Sequence, residues 1–213
     1  MEHDRILALA ELLCARLCHD LAGPLGALGT GAELLAEEGA GLDAEATALI
    51  ASSAAIATAR LRFLRFAFGP GGGGLAPETV RSLVADYLKA QARDGAPLIL
   101  DWRDESGASW EPDAVKILCN LVLLALDCLP RGGGLAIRAR PDDGTFIAEV
   151  AARGAPSGRP AVLAGIEATG ADGLTPRGAQ GFYAAKLVQS LKWTLGVAIE
   201  SDVVRLRVSC GLA

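Results

Sequence analysis

The chain has 213 residues, of which 51% are hydrophobic and 21% are charged, so it can bury a sizeable core and is not globally disordered. Its formal net charge of −5 argues against a nucleic-acid binder, which would normally present a basic surface. The longest apolar run, Leu121 to Leu126, is too short to span a bilayer, and acidic residues interrupt the N-terminus where a signal peptide would be apolar. We therefore expect a cytoplasmic protein with no nucleic-acid partner and no membrane partner.

Two apolar helical patterns open the chain. Leucines recur at helical spacing over residues 4–38, and after a break at Gly39–Gly41 a second helix begins at Asp43 and runs to about Phe68. Because the loop is so short, the two helices must pack as an antiparallel hairpin. One hairpin cannot bury this much apolar surface alone. We therefore predict a homodimer in which two hairpins form a four-helix bundle.

A glycine-rich stretch, residues 69–74, separates the hairpin from a region of alternating elements. This order predicts an α+β fold with a mixed or antiparallel sheet covered by helices. We accordingly divide the chain into a helical hairpin, 1–70, and a second domain, 71–213. The predicted elements are, in chain order, a helix at 77–93, a strand at 97–102, a helix at 111–129, strands at 134–140 and 145–151, helices at 159–168 and 179–195, and strands at 197–201 and 203–209.

Imidazole chemistry can involve only two residues, His3 and His19, and the first lies in an N-terminus of the kind that usually frays. The five cysteines and two histidines lack the spacing of a metal site, so no metal is expected. His19 is placed on the side of the first helix that faces away from the leucines. Its neighbours one or two helical turns away are Ala15, Arg16, Ala22, Gly23 and Gly26. An imidazole among such small residues is open to a close partner, although a plain solvated histidine would show the same pattern.

Pro24 follows His19 by five residues and should bend the helix. Proline has no N–H to donate, so it frees the carbonyl group of Asp20 from its helical hydrogen bond. Gly23 weakens the helix further at the same point. Local helix propensity is therefore poor just after the histidine.

The segment LCHDLAGPL, residues 17–25, resembles the H-box of sensor histidine kinases: histidine, an acidic residue, leucine, two variable positions, then Pro-Leu. This resemblance implies that His19 is the phosphoacceptor and that Asp20 orients it or handles its proton. A neutral imidazole is the nucleophilic form, and an exposed histidine is substantially neutral at cytoplasmic pH. Counting back from the hairpin turn places His19 opposite about Arg62, and Arg60, Arg62 and Arg65 give that stretch a positive field that could stabilise a phosphoryl group. An ordinary solvated face is the alternative for these arginines.

Such kinases carry a Bergerat-type ATP-binding domain with an N-box, a DxGxG box and a second glycine-rich box. Here Asn120 matches the first asparagine of the N-box, but Leu124 stands where the magnesium-binding asparagine should be. The segment 149–156 lacks the DxGxG aspartate that would read adenine. Residues 178–186 keep a glycine-rich remnant, whose glycines we expect to serve turn geometry. We therefore expect a Bergerat-like domain that does not bind ATP and has no cofactor of its own.

A dimeric H-box hairpin joined to a degenerate Bergerat domain resembles the ChpT-type histidine phosphotransferases of bacterial cell-cycle phosphorelays, over nearly the whole chain. That resemblance implies transfer from the receiver aspartate of a hybrid histidine kinase to His19, and then to CtrA- and CpdR-like response regulators. The receiver domains would supply the magnesium. The expected docking surface comprises Ala15, Arg16, Ala22, Gly23, Gly26 and Arg62. Two alternatives stay open: an active histidine kinase with divergent nucleotide motifs, and a non-catalytic dimeric docking scaffold.

Overall fold

The computed structural model describes residues 2–37, 44–70, 73–92, 96–107, 109–142, 145–154 and 161–211. The predicted break and cap between the first two helices, and part of the glycine-rich stretch, lie outside these ranges. The helices are α1 (Glu2–Glu37), α2 (Ala44–Phe68), α3 (Pro77–Gln91), α4 (Pro112–Asp127), α5 (Ala161–Glu167) and α6 (Pro176–Ser190). The strands are β1 (Leu98–Asp104), β2 (Gly133–Asp142), β3 (Thr145–Arg153), β4 (Thr194–Ile199) and β5 (Val203–Gly211).

Helices α1 and α2 form the predicted antiparallel hairpin. Gly31 near the end of α1 lies against Ile50 near the start of α2. Asp20, in the middle of α1, contacts Arg60 in the C-terminal half of α2. Pro24 is buried inside α1. Much of the hairpin's apolar surface remains uncovered within the chain, since the exposed large aliphatic residues include Ile6, Leu7, Leu25, Leu34 and Leu61.

Helix α2 is long and apolar enough, by length and composition, to cross a membrane, and it is the one such helix in the described part of the chain. No long apolar run marks this helix in the sequence, because polar residues interrupt every run while alanines keep the mean hydropathy at 1.2. The C-terminal half of α2 is nevertheless part of the protein core. Phe63, Leu64 and Ala67 are buried, and the Phe63 ring stacks on Tyr87 of α3 with 3.9 Å between centroids.

The five strands form one mixed sheet in the order β1-β2-β3-β5-β4. Strands β1 and β2 are parallel, and the other neighbouring pairs are antiparallel. Helices α3, α4 and α6 pack against this sheet, and α5 packs on α6. The α+β prediction is thus confirmed, with a mixed rather than a wholly antiparallel sheet.

Helix α4 is the centre of the core. It is buried from Ala114 to Ala125 with Lys116 as the one exception, which is expected for a helix that is apolar on every side and surrounded by its own chain. It contacts α2 and α6 as well as the sheet, so it joins the hairpin to the rest of the molecule.

The predicted boundaries of α6 and β4 were wrong. The helix begins at Pro176 and ends at Ser190, and the strand already begins at Thr194, where the sequence pattern had suggested helix. Lys192 adopts a positive φ of 60°, which a continuing α-helix does not allow. The chain therefore reverses there and returns along the sheet edge.

Candidate functional site

His19 stands on α1 with its side chain 82% exposed. Its Nδ1 atom lies 3.4 Å from Oδ1 of Asp20, the next residue, whose side chain is 20% exposed. A proton on Nδ1 would face that carboxylate and leave the lone pair of Nε2 directed away from it. In that tautomer the pair would present a nucleophilic nitrogen to solvent, with the Asp20 carboxylate beside the other ring nitrogen.

Arg60 of α2 binds the carbonyl oxygen that the proline frees. Its Nη1 donates a hydrogen bond of 2.5 Å to the backbone oxygen of Asp20, the helical partner that Pro24 cannot supply. Its Nε and Nη2 donate to the carbonyl oxygen of Ala90 near the end of α3, at 3.2 and 2.8 Å. One guanidinium group thus binds the backbone of α1 at the Asp20 carbonyl and links it to α3.

A second arginine, Arg16, connects α1 to α4. Its Nη1 donates to Oδ2 of Asp127 at 2.6 Å, and its Nε lies 3.9 Å from Oδ2 of Asp20. Arg177 at the start of α6 lies 3.7 Å from the other oxygen of Asp127. Burial raises the pKa of the Asp127 carboxyl group, and the two arginines act in the opposite direction.

These contacts border a cleft of about 650 Å³ between α1 and the rest of the molecule. Its floor includes Tyr87 of α3, whose phenol stays protonated because burial, with a contribution from the negative charge of Asp20, raises its pKa. His19 lines the rim of this cleft together with Ala15, and Thr175 and Pro176 line the side formed by α6. The exposed imidazole therefore lies at the edge of the cleft, between the surface of α1 and the surface formed by the start of α6.

The docking residues predicted from the sequence fall into three groups. Ala15, Ala22, Gly23 and Gly26 are exposed around His19, and a Cβ at either glycine would meet no described atom within 4 Å outside the adjacent backbone of α1. Arg16 is only 10% exposed, because its side chain is directed at Asp127, so it offers little surface to a partner. Arg62 is exposed on α2, but Arg60 is the arginine that contacts the H-box turn.

The two residues compared with the N-box, Asn120 and Leu124, both lie inside the core. Asn120 is 1% exposed; its Nδ2 donates to the carbonyl oxygens of Ala67 and Lys116, both at 2.9 Å, and its Oδ1 accepts from Nε2 of Gln180 at 2.6 Å. Leu124 is fully buried in the core and has no oxygen to offer a cation. The Asn120 side chain instead links α4 to α2 and to α6 by hydrogen bonds.

The glycine-rich remnant also has a different role from the one that its sequence suggested. We expected its glycines to form a turn, but Gly178 and Gly181 lie buried inside α6. A Cβ added to Gly165 of α5 would collide with the carbonyl oxygen of Gly178. The absence of a side chain at Gly165 thus lets α5 and α6 pack closely. The N-terminus of α6 is capped by the Thr175 hydroxyl, which accepts a hydrogen bond from the Gly178 N–H at 3.1 Å.

The sequence model of the histidine phosphotransferase C-terminal domain matches residues 77–203, more than half of the chain. The chain belongs to the histidine phosphotransferase family. Protein phosphotransferase ChpT of Brucella abortus strain 2308 is 39% identical over 144 residues, a match that covers 64% of this chain and 63% of that protein. A solved structure of a bacterial phosphotransferase is 29% identical, with a TM-score of 0.76 and coverage of 95% and 96% of the two chains. The family resemblance expected from the sequence is confirmed.

In this histidine phosphotransferase, the sequence indicated Arg60 only as one of three arginines of a positive stretch, without its contact to α1, and it did not single out Asp127. For both contacts, the sequence contains a feature that calls for a charged or hydrogen-bonding partner. The carbonyl group freed by Pro24 needed a donor from a neighbouring helix. Asp127 places a negative charge at the C-terminal end of α4, where the helix dipole disfavours it, and so required a cation nearby.

Proposed function

We propose that this chain carries phosphoryl groups in a bacterial phosphorelay, taking them from the receiver aspartate of a hybrid histidine kinase onto His19. From there they pass to the aspartate of a response regulator of the CtrA or CpdR type. The observation that carries this proposal is His19 itself. It is 82% exposed beside a carboxylate, on the first helix of a histidine phosphotransferase. The protein would act in the cytoplasm, where such regulators are found.

The geometry at His19 suits phosphoryl transfer by nucleophilic attack. The lone pair of Nε2 forms the N–P bond while the O–P bond to the receiver aspartate breaks and its electron pair returns to that carboxylate. The ring then gains positive charge at Nδ1–H, which Asp20 faces at 3.4 Å. Asp20 thereby stabilises the charge that develops, and the reverse reaction onto a second receiver uses the same contact.

The surface around His19 supports docking of a receiver domain. Ala15, Ala22, Gly23 and Gly26 leave an open, low-lying patch that a helix of the partner can approach closely. The cleft on the other side of His19 lets the same partner reach the C-terminal part of the molecule. The receiver domain brings its own magnesium ion, so this chain needs to supply only the nucleophile and the docking surface.

The exposed apolar side chains of the hairpin support a homodimer with a four-helix bundle. On α1, Leu7, Cys14, Cys18 and Leu25 follow one another at intervals of seven, four and seven residues, which places them on one helix face. All four are exposed within the chain. A second hairpin on this face would bury them, and it would also cover part of the apolar helix α2.

We also propose that the protein acts without ATP. Asn120 is occupied by Ala67 and Gln180, and Leu124 is buried where a metal ligand would be needed. The kinase-like C-terminal part would then serve as a support for the hairpin and as a second docking surface.

The test compares two donors of radiolabelled phosphate, ATP and a phosphorylated receiver domain of a hybrid histidine kinase. We expect label on the protein from the receiver and none from ATP. The label should be lost in His19→Ala and kept in the matched variant His3→Ala, which removes the second of the two histidines. Label from ATP alone would identify an active kinase instead, and receiver binding without any labelling would identify a docking scaffold.

A further inference from the structure

Asp127 occupies an unfavourable position for a carboxylate. It is the last residue of α4, where the helix dipole repels negative charge, and its side chain is only 13% exposed. Both conditions cost free energy unless cations lie close by. Arg16 supplies one at 2.6 Å and Arg177 a second at 3.7 Å. Since the Arg16 side chain is itself 10% exposed, this ion pair is shielded from water and holds its geometry better than a surface pair.

The same arginine reaches the phosphoacceptor site. Arg16 contacts Asp127 through Nη1 and approaches Oδ2 of Asp20 through Nε, at 3.9 Å. The other carboxylate oxygen of Asp20, Oδ1, is the one that lies 3.4 Å from Nδ1 of His19. A continuous chain of charged groups therefore runs from the end of α4 through Arg16 and Asp20 to the imidazole.

We propose that Asp127 is a positioning residue for His19, an inference that rests on the proposed phosphotransfer function. Its carboxylate holds the guanidinium group of Arg16, so that Arg16 approaches only one oxygen of Asp20 and leaves the other for the Nδ1–H of His19. Without Asp127, the arginine can take both oxygens of Asp20 in a bidentate pair. His19 then loses the partner that keeps its proton on Nδ1 and its lone pair on Nε2.

The test uses full-length Asp127→Asn, which keeps the shape of the side chain, with Asp113→Asn on the exposed first turn of α4 as the matched control. Transfer from a phosphorylated receiver should slow roughly tenfold at saturating receiver, with the half-saturating concentration unchanged. The nitrogen-15 signals of His19 should show a lower titration midpoint and less of the Nδ1–H tautomer. The signals of His3 provide an internal reference. A rate and a His19 titration equal to those of Asp113→Asn would overturn the proposal.

A double variant separates positioning through Arg16 from the simple loss of a nearby charge. Arg16→Gln frees Asp20 for His19, so its His19 midpoint should rise, and adding Asp127→Asn to it should change neither rate nor midpoint. An effect of Asp127→Asn that persists in this background would overturn the proposal. Should Asp127→Asn fail to fold, a wild-type His19 titration in Arg16→Gln would overturn it as well.

The titration needs no phosphate, so it distinguishes the two proposals. A wild-type protein that receives no label from the receiver refutes the phosphotransfer function. A wild-type protein that is labelled normally while Asp127→Asn leaves the His19 midpoint unchanged refutes only the role of Asp127.

Discussion

Helices α1 and α4 are both rich in apolar residues, but they use them differently. Along α4, eleven of sixteen residues are buried by the protein's own chain. Along the 36 residues of α1, Pro24 and Gly31 are the buried ones among the side chains that the structure describes. Apolar content therefore does not by itself decide whether a helix is covered by its own chain. The α4 helix is surrounded by other parts of the chain, whereas α1 leaves an apolar face exposed, which the proposed dimer would cover.

The strongest test of this contrast truncates a leucine on α4. Leu121 is fully buried, so Leu121→Ala should lower the free energy of unfolding by about 3 kcal/mol through lost burial and the cavity left behind. Ile99 on β1 is 66% exposed and provides the matched control, since Ile99→Ala should cost about 0.5 kcal/mol or less. Urea unfolding at fixed protein concentration measures both. Equal losses would mean that α4 is not the centre of the core.

A charge on the apolar face of α1 should act on assembly instead. Leu25 is 54% exposed within the chain, so Leu25→Asp should leave the fold intact and separate the proposed dimer into monomers. Each dimer contains this site twice, and losing about 1.5 kcal/mol per leucine corresponds to a more than hundredfold weaker dimer. Sedimentation at several concentrations measures the change. Ile99→Asp, a charge on an exposed residue of the sheet edge, should leave the mass unchanged, and a monomeric wild type would contradict the dimer directly.

Arg60→Ala tests the connection between the two regions. It removes the donors to the carbonyl oxygens of Asp20 and Ala90 and should cost about 2 kcal/mol of unfolding free energy. Phosphoryl transfer to His19 should slow as well, because the turn of α1 next to His19 loses its link to α3. Arg62→Ala, two residues along on the exposed side, should stay within about 0.5 kcal/mol of the wild type. Similar losses in the two variants would show that the guanidinium contact to the H-box turn has no energetic weight.

The smallest effect is expected in thiol chemistry. Cys119 and Cys128 should not react with maleimide at pH 8 in the folded protein, because burial raises the pKa of both thiols, that of Cys128 to about 12. Cys14 and Cys18 are exposed within the chain, but the proposed dimer would cover them. They should therefore react more slowly in the wild type than in Leu25→Asp, as read by mass spectrometry of the labelled peptides. Identical rates in the two proteins would place the dimer contact elsewhere.

Much of the fold could be read from the sequence because its signals are local. Helical periodicity, glycine-rich breaks and alternating strands identified every helix and strand that the structure contains, although element ends moved by several residues. The end of α6 was predicted wrongly because it depends on the positive φ of Lys192. Lysine rarely adopts this conformation, so its presence in the sequence does not indicate a helix end.

The candidate site could be predicted where it is local and not where it depends on tertiary contacts. The H-box pattern indicated His19, Asp20 and Pro24 as candidates from adjacent residues, and the structure brings the His19 and Asp20 side chains to 3.4 Å. Deciding whether Arg60 or Arg62 contacts α1 requires the rotation of α2 relative to α1, which the sequence does not give. The two residues differ in direction by about 200° around the helix axis. The pairing of Arg16 with Asp127 joins residues 111 positions apart, so no local pattern could predict it.

The hydrogen bonds of the Asn120 amide restrict movement of the hairpin relative to the sheet. They link α4 to the carbonyl oxygen of Ala67 on α2 and to Gln180 on α6 inside the core. Swinging the hairpin away would leave these polar groups unpaired in a dry interior, at about 1–3 kcal/mol for each of them. The hairpin and the sheet domain should therefore tumble as one rigid body. If the chain transfers phosphate as proposed, donor and acceptor receivers would meet the same fixed surface around His19 and would compete for it.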